Sequence, residues 1–195
     1  MRISRPLLLL AALVLAMPAA FAAAPTTGTP LPRDSVYQIP ALTLRDQRGD
    51  VFAFASLRGQ PALVGMFYGS CRMVCPLEIE ALKGIERALA PKHAIPVLLV
   101  SFDPANDDVA MLRKVADEHR VQAPLFRLTR PEQGDEGMLA GVLGIAYRRL
   151  PNGGFNHNVV IALLDAEGRI VATTDSTSAP DPTFVAAIQK VQAAH

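Results

Sequence analysis

Two stretches constrain this chain more than any others. Pro61 to Tyr68 and Ile95 to Phe102 are apolar almost without interruption. A strand with one wet face alternates apolar and polar residues, whereas a strand covered on both faces does not. The two runs therefore read as central strands of a sheet with helices packed on both sides. Between them Pro76 suits the first turn of a helix, and Leu77, Ile79, Leu82 and Ile85 follow at the spacing of an apolar helical stripe.

The rest of the chain fits around that unit. Ala41 to Arg45 and Val51 to Phe54 alternate about Arg48-Gly49-Asp50, a hairpin pattern. Asp103-Pro104 ends the second central strand, and Asn106 or Asp107 is placed to cap a helix running to about His119. Leu125 to Leu128 reads as a short strand, Pro131 to Leu143 as a helix, and Asn152-Gly153-Gly154 as the turn of a hairpin-like excursion. Val159 to Asp165 and Arg169 to Thr174 pair across Glu167-Gly168, and Pro182 to Ala194 is a closing helix. This order predicts an α/β fold: a thioredoxin-like sandwich with a central mixed β-sheet flanked by helices and an N-terminal β-hairpin.

The N-terminus carries an export pattern. Arg2 and Arg5 precede an apolar run from Leu7 to Met17, and Ala20-Phe21-Ala22 supplies a small-x-small cleavage site. A membrane span needs about 20 apolar residues, so the shorter run favours a cleaved signal peptide over residues 1–22. The other reading keeps Pro6 to Ala24 as an anchor that tethers the protein to the membrane. Residues 23–38, rich in Pro, Thr and Gly, are expected to be a flexible linker, and 39–195 a single domain. No cysteine lies near the cleavage site, so lipid attachment is not expected, and the domain is assigned to the periplasm. The chain has 19 basic and 18 acidic residues, and Arg148-Arg149, its densest basic pair, reads as a solvated face. Nucleic-acid binding has no support in that distribution. No phosphate-binding loop, dinucleotide fingerprint, GxSxG or HExxH is present.

The chemistry is concentrated in Tyr68-Gly-Ser-Cys-Arg-Met-Val-Cys-Pro76, which holds the only two cysteines, Cys71 and Cys75. They fall at a strand-to-helix junction, where orphan backbone N–H groups and the helix dipole favour a thiolate. A thiolate is both a nucleophile and a soft metal ligand. In an oxidising compartment a structural disulfide is the simplest alternative. Closing a loop of only five residues gives about 2 kcal/mol before strain, so the pair is better suited to exchange or coordination.

The Cys-x3-Cys spacing departs from the Cys-x2-Cys of thioredoxin-type redox pairs. His157, in Gly153-Gly-Phe-Asn-His-Asn-Val-Val160, precedes the strand at which such enzymes place a cis-proline. Two sulfurs and one imidazole suit Cu(I) by softness and can hold Cu(II). Zinc would need a fourth ligand that is not evident. Met66 reads as core and Met73 as a weak ligand candidate. His93, His119 and His195 read as surface, helix and terminal positions, and Asp103 and Asp107 as turn and cap residues.

Tyr68-x-x-Cys71-x3-Cys75-Pro76, Val100-Ser101-x-Asp103-Pro104-x-x-Asp107, and His157 followed by Asp165-x-x-Gly168 resemble the Sco (SenC/PrrC) copper-binding family in order and spacing, over residues 39 to 193. The resemblance implies a thioredoxin-like fold and copper held as Cu(I) or Cu(II) by Cys71, Cys75 and His157. It also implies a part in assembling the CuA centre of cytochrome c oxidase, by delivering copper or by reducing recipient thiols. Arg72-Met73 stands where many relatives carry Pro-Asp, and Gly154-Phe155-Asn156 also differs from the usual pattern. Expected partners are the oxidase's copper-site subunit or another copper-accepting protein, and a thiol reductant; a monomer is expected. Two rivals share the site. One is a thiol–disulfide reductase, with Cys71 attacking and Cys75 resolving, and the other is a redox or copper sensor.

Overall fold

The computed structural model describes residues 30–89, 94–132, 134 and 136–194. The leader, residues 23–29 of the linker, His93 and His195 lie outside them. Strands β1 (Thr43–Asp46) and β2 (Val51–Ala53) form the expected hairpin, followed by β3 (Ala62–Phe67), α1 (Val74–Ala88) and β4 (Val97–Ser101). Then come α2 (Val109–His119), β5 (Phe126–Pro131), α3 (Glu136–Leu143), β6 (Tyr147–Arg149) and β7 (Phe155–His157). Strands β8 (Ile161–Leu164) and β9 (Ile170–Thr174) and helix α4 (Pro182–Ala193) complete the chain.

Seven strands make one sheet in the order β2-β1-β5-β4-β3-β8-β9, while β6 and β7 form a separate ribbon. The pairs β3–β4 and β4–β5 are parallel and the others antiparallel, giving the mixed sheet of a thioredoxin-like sandwich. Every residue of β3, β4 and β8 is buried, as the unbroken apolar runs require. The register of β3 with β4 sets Phe67 beside Ser101. The loops leaving these two strands therefore emerge side by side, and the site is built there. No helix among the described residues is long and apolar enough to cross a membrane.

Several boundaries differ from the sequence reading, each for a visible reason. The compact unit begins at Leu31, and the end of the expected linker is part of it. Val36–Gln38 forms a short 3-10 turn in which Val36 and Tyr37 are buried, with Tyr37 edge-on to Phe54. The Val36 N–H donates to the Gly168 carbonyl, and a Cβ on Gly168 would strike the Tyr37 ring at 2.4 Å. Pro131 ends β5 rather than opening a helix, because β1 pairs with it through Leu44 and extends the strand. Asp108 caps α2 by accepting from the Met111 N–H, since the Asp107 carboxylate is committed elsewhere. On α1 the buried stripe takes in Glu78, while Leu77 is 52% exposed.

Candidate metal centre

Cys71 and Cys75 take up different positions in one turn. After β3 the chain bends at Gly69-Ser70, with the Cys71 N–H donating to the Tyr68 carbonyl at 3.1 Å. Helix α1 starts without a side-chain cap from Met73, its N-cap residue. The Cys71 Sγ fills that place by accepting the Cys75 N–H at 3.3 Å. Pro76 follows and has no N–H to satisfy. One sulfur thus sits at the positive end of the helix, half-buried, and the other lies inside the first turn, buried.

The two thiols consequently differ in acidity. A hydrogen bond from the Cys75 thiol, helped by His157 and by the backbone N–H groups of Cys75 and Met73, brings Cys71 down to about 3. The same hydrogen bond to Cys71, together with burial, pushes the Cys75 thiol up. At neutral pH the pair holds one proton, on Cys75, and Cys71 is a thiolate.

His157 reaches this pair from the far side of the chain. It ends β7, opposite Tyr147 of β6 in the ribbon. Its Nε2 lies 3.9 Å from Cys75 Sγ, and its Nδ1 donates to the Asn158 carbonyl at 3.0 Å. A carbonyl can only accept, so in the neutral ring the proton is on Nδ1 and the Nε2 lone pair faces the sulfurs, while in the protonated ring Nε2–H donates to Cys71. The ring is packed by Phe102 at 5.0 Å and Tyr68 at 5.9 Å. Asn158 pins the ribbon's base, accepting from the Ala146 N–H at 2.7 Å and donating to the Gly144 carbonyl at 3.1 Å. The hydrogen bond to Cys71 raises His157, against the opposing effect of its burial.

The donor atoms of Cys71, Cys75 and His157 all lie within 4.8 Å of one another. Three points so spaced share a centre no more than about 2.8 Å from each, against metal–sulfur and metal–nitrogen bonds of about 2.0–2.3 Å. A small inward movement closes that gap. The donor set is soft, three-fold and open on one side: Cys71 and His157 line a cleft of about 340 Å³ together with Tyr68, Met73 and Phe155.

The loop after β4 braces both halves of the site. Asp107 Oδ2 accepts the Gly69 N–H at 2.9 Å and the Ser101 hydroxyl, which itself accepts the Asp103 N–H at 2.9 Å. Gly69 is required here, because a Cβ would come within 2.6 Å of Asp107 Oδ1 and of Met111 Cγ. Asp103 pairs with Arg149 of β6, whose guanidinium also lies 4.6 Å over the Phe155 ring of β7. Asp107 thus holds the cysteine loop and Asp103 the histidine ribbon. They are braces, and Arg149, solvent-exposed as expected, also ties the ribbon to Asp103. The sequence offered no signal for these long-range pairs.

Of the other candidates, Met66 is in the core at 2% exposure and Met73 stands at the rim of the cleft. His119 ends α2, with its Nδ1 3.3 Å from Glu80, and lines a small cavity that Cys71 and Cys75 also border. Glu78 was missed, although a charged residue at core spacing three positions beyond Cys75 is a readable signal. It is fully buried, and neither carboxylate oxygen has a hydrogen-bond partner among the described residues. Its Oε1 occupies the notch left by Gly65, within 2.6 Å of where a Cβ would stand.

Burial, with a smaller contribution from the Cys71 thiolate, raises Glu78 well above the usual carboxylate range. The folded state therefore keeps a proton that the unfolded chain loses above about pH 4.5. Stability is full below that pH and falls as pH rises toward the folded pKa, by up to about 1.4 kcal/mol per unit. Glu78→Gln removes this dependence. Urea unfolding of the variant is expected to show a flatter pH profile and a higher midpoint than wild type at pH 8. Parallel profiles would contradict the assignment.

A family model described as SCO1/SenC matches residues 37–193. The cattle protein SCO2 homolog, mitochondrial, is 37% identical over 81 residues, which are 40% of this chain and 30% of that protein. The SCO2-like protein of Rickettsia felis is 27% identical over 134 residues, 65% of this chain and 63% of the relative. The chain thus spans less than two thirds of either relative. Among solved structures, Bradyrhizobium japonicum ScoI with copper bound superposes with a TM-score of 0.65 at 21% identity, covering 77% of this chain and 96% of that one. At that identity the superposition speaks for the fold alone, while the family model covers most of the chain. The chain belongs to the SCO1/SenC family.

Proposed function

We propose that this domain is a periplasmic copper chaperone that carries one copper ion between Cys71, Cys75 and His157 for assembly of the CuA centre of cytochrome c oxidase. The observation that carries the reading is the convergence of three soft or borderline donors within 4.8 Å at the edge of an open cleft. The family relationship and the copper held by the Bradyrhizobium protein support copper over zinc. The leader supports export. Copper is cargo here, so the site must bind tightly yet release. Cys75 anchors from inside, and Cys71 and His157 stay accessible for a recipient thiolate to enter by ligand exchange.

The protonation pattern gives the binding its pH dependence. Loading requires Cys75 to lose its proton, while Cys71 is already a thiolate. His157, raised above its ordinary value by Cys71, must also be neutral. Above the His157 pKa, binding releases one proton and affinity rises about tenfold per pH unit; below it, two protons leave and the rise is about a hundredfold per unit. Cu(I) affinity measured between pH 5.5 and 8.5 should show this break in slope. A pH-independent affinity would exclude thiol and imidazole ligation.

The unequal thiols also favour a second reading, a thiol–disulfide reductase in which the Cys71 thiolate attacks and Cys75 resolves. Anaerobic competition of the reduced domain against a chromogenic Cu(I) chelator separates the two. A chaperone holds one copper tightly and loses affinity in His157→Ala. A reductase does not compete with the chelator, and its disulfide exchange survives His157→Ala.

A further inference from the structure

Met73 breaks two rules of the fold it belongs to. It is a large apolar side chain left 76% exposed, whereas Met66 is packed in the core. It also occupies the N-cap of α1, where Ser, Thr, Asp or Asn would satisfy an orphan N–H, and it makes no cap bond. Neither packing nor capping accounts for it, and departures of this kind collect at functional positions. Its place supplies an account. Met73 borders the same cleft as Cys71 and His157, and its own backbone N–H is among the groups that stabilise the Cys71 thiolate.

We propose that the Met73 thioether is a transient ligand for Cu(I), the point at which the ion enters and leaves the Cys71–Cys75–His157 site. The inference rests on the copper reading above and goes beyond it. A thioether is soft, neutral and a weak donor, so it binds Cu(I) without losing a proton and gives it up readily. On loading, a Cu(I)–thioether bond forms at Met73 as one bond to the carrier breaks. The Cys71 thiolate then binds, Cys75 releases its proton to solvent and binds with His157, the carrier's remaining bonds break as these form, and the Met73 bond breaks last. Copper stays Cu(I) throughout, and unloading reverses the order. Met111 is the internal contrast: it borders Cys71 on the other side, in a cleft without His157, and packs against the core.

The test is stopped-flow transfer of Cu(I) between the reduced domain and a bicinchoninate complex, in wild type, Met73→Leu and Met111→Leu. Loading and unloading in Met73→Leu are expected to slow about tenfold together, with affinity changed less than about twofold, because only the path is altered. Met111→Leu should match wild type. With methyl-labelled methionine, substoichiometric Ag(I), a diamagnetic stand-in for Cu(I), should shift the Met73 methyl resonance. Unchanged rates in Met73→Leu overturn the inference while leaving the copper site intact. An affinity loss of about a hundredfold also overturns it, by making Met73 a permanent ligand. A wild-type domain that takes no Cu(I) overturns the copper reading and this inference with it.

Discussion

Asp107→Ala is expected to destabilise the domain by about 2–4 kcal/mol, while Asp107→Asn stays within about 1 kcal/mol of wild type. Both hydrogen bonds to Asp107 end on the same oxygen, Oδ2, from the Gly69 N–H and the Ser101 hydroxyl. An asparagine carbonyl can accept both, and burial already raises the Asp107 carboxyl above its ordinary value. Alanine leaves two donors unpaired in a largely buried place, each costing about 1–3 kcal/mol. The loop that carries Cys71 loses its anchor in the same step. Equilibrium urea denaturation of the apo domain, followed by a Cu(I) competition assay, reads both consequences. Equal loss in the two variants would mean that the carboxylate charge, and not the acceptor, matters.

Much of this architecture is legible in the sequence because it is written in periodicity. The unbroken runs at 61–68 and 95–102 become β3 and β4 because burial on both faces demands apolar residues at every position. The hairpin around Gly49 and the ribbon turn at Gly153 follow from local turn chemistry, both glycines having positive φ. The three donors stand out because few roles suit two cysteines one turn apart at a helix start. What the sequence hides is pairing across distance. Arg149 with Asp103, and Asp107 with Gly69, depend on which loops the sheet order sets side by side. Ser35 to Gln38 read as linker because a Pro- and Thr-rich approach masks the burial of Val36 and Tyr37. Leu77 and Glu78 exchange roles because a one-residue rotation of the helix face is within the tolerance of any stripe.

Cys75→Ser should have the largest effect on metal binding, lowering Cu(I) affinity by at least about a thousandfold, some 4 kcal/mol. The hydroxyl is a hard ligand that stays protonated at neutral pH, so a soft anionic donor is lost from the interior of the site. His157→Ala removes a neutral donor from the solvent side and leaves two thiolates, and about ten- to a hundredfold is expected. A serine hydroxyl still donates, so Cys75→Ala is the variant that takes away the hydrogen bond contributing most to the acidity of Cys71. Alkylation of Cys71 by iodoacetamide in Cys75→Ala should then show its pH midpoint moved upward, toward the ordinary thiol range. The two readouts together separate a lost ligand from a lost fold. If His157→Ala were as damaging as Cys75→Ser, the site would depend on the imidazole more than this geometry allows.

The central claim is that Cys71, Cys75 and His157 hold one copper ion together, and X-ray absorption at the copper edge tests it most directly. The reduced domain loaded with one equivalent of Cu(I) is predicted to show two sulfurs and one nitrogen around copper, with the nitrogen absent in His157→Ala. A spectrum with sulfur alone, unchanged by His157→Ala, or with copper–copper scattering, would contradict the site described here.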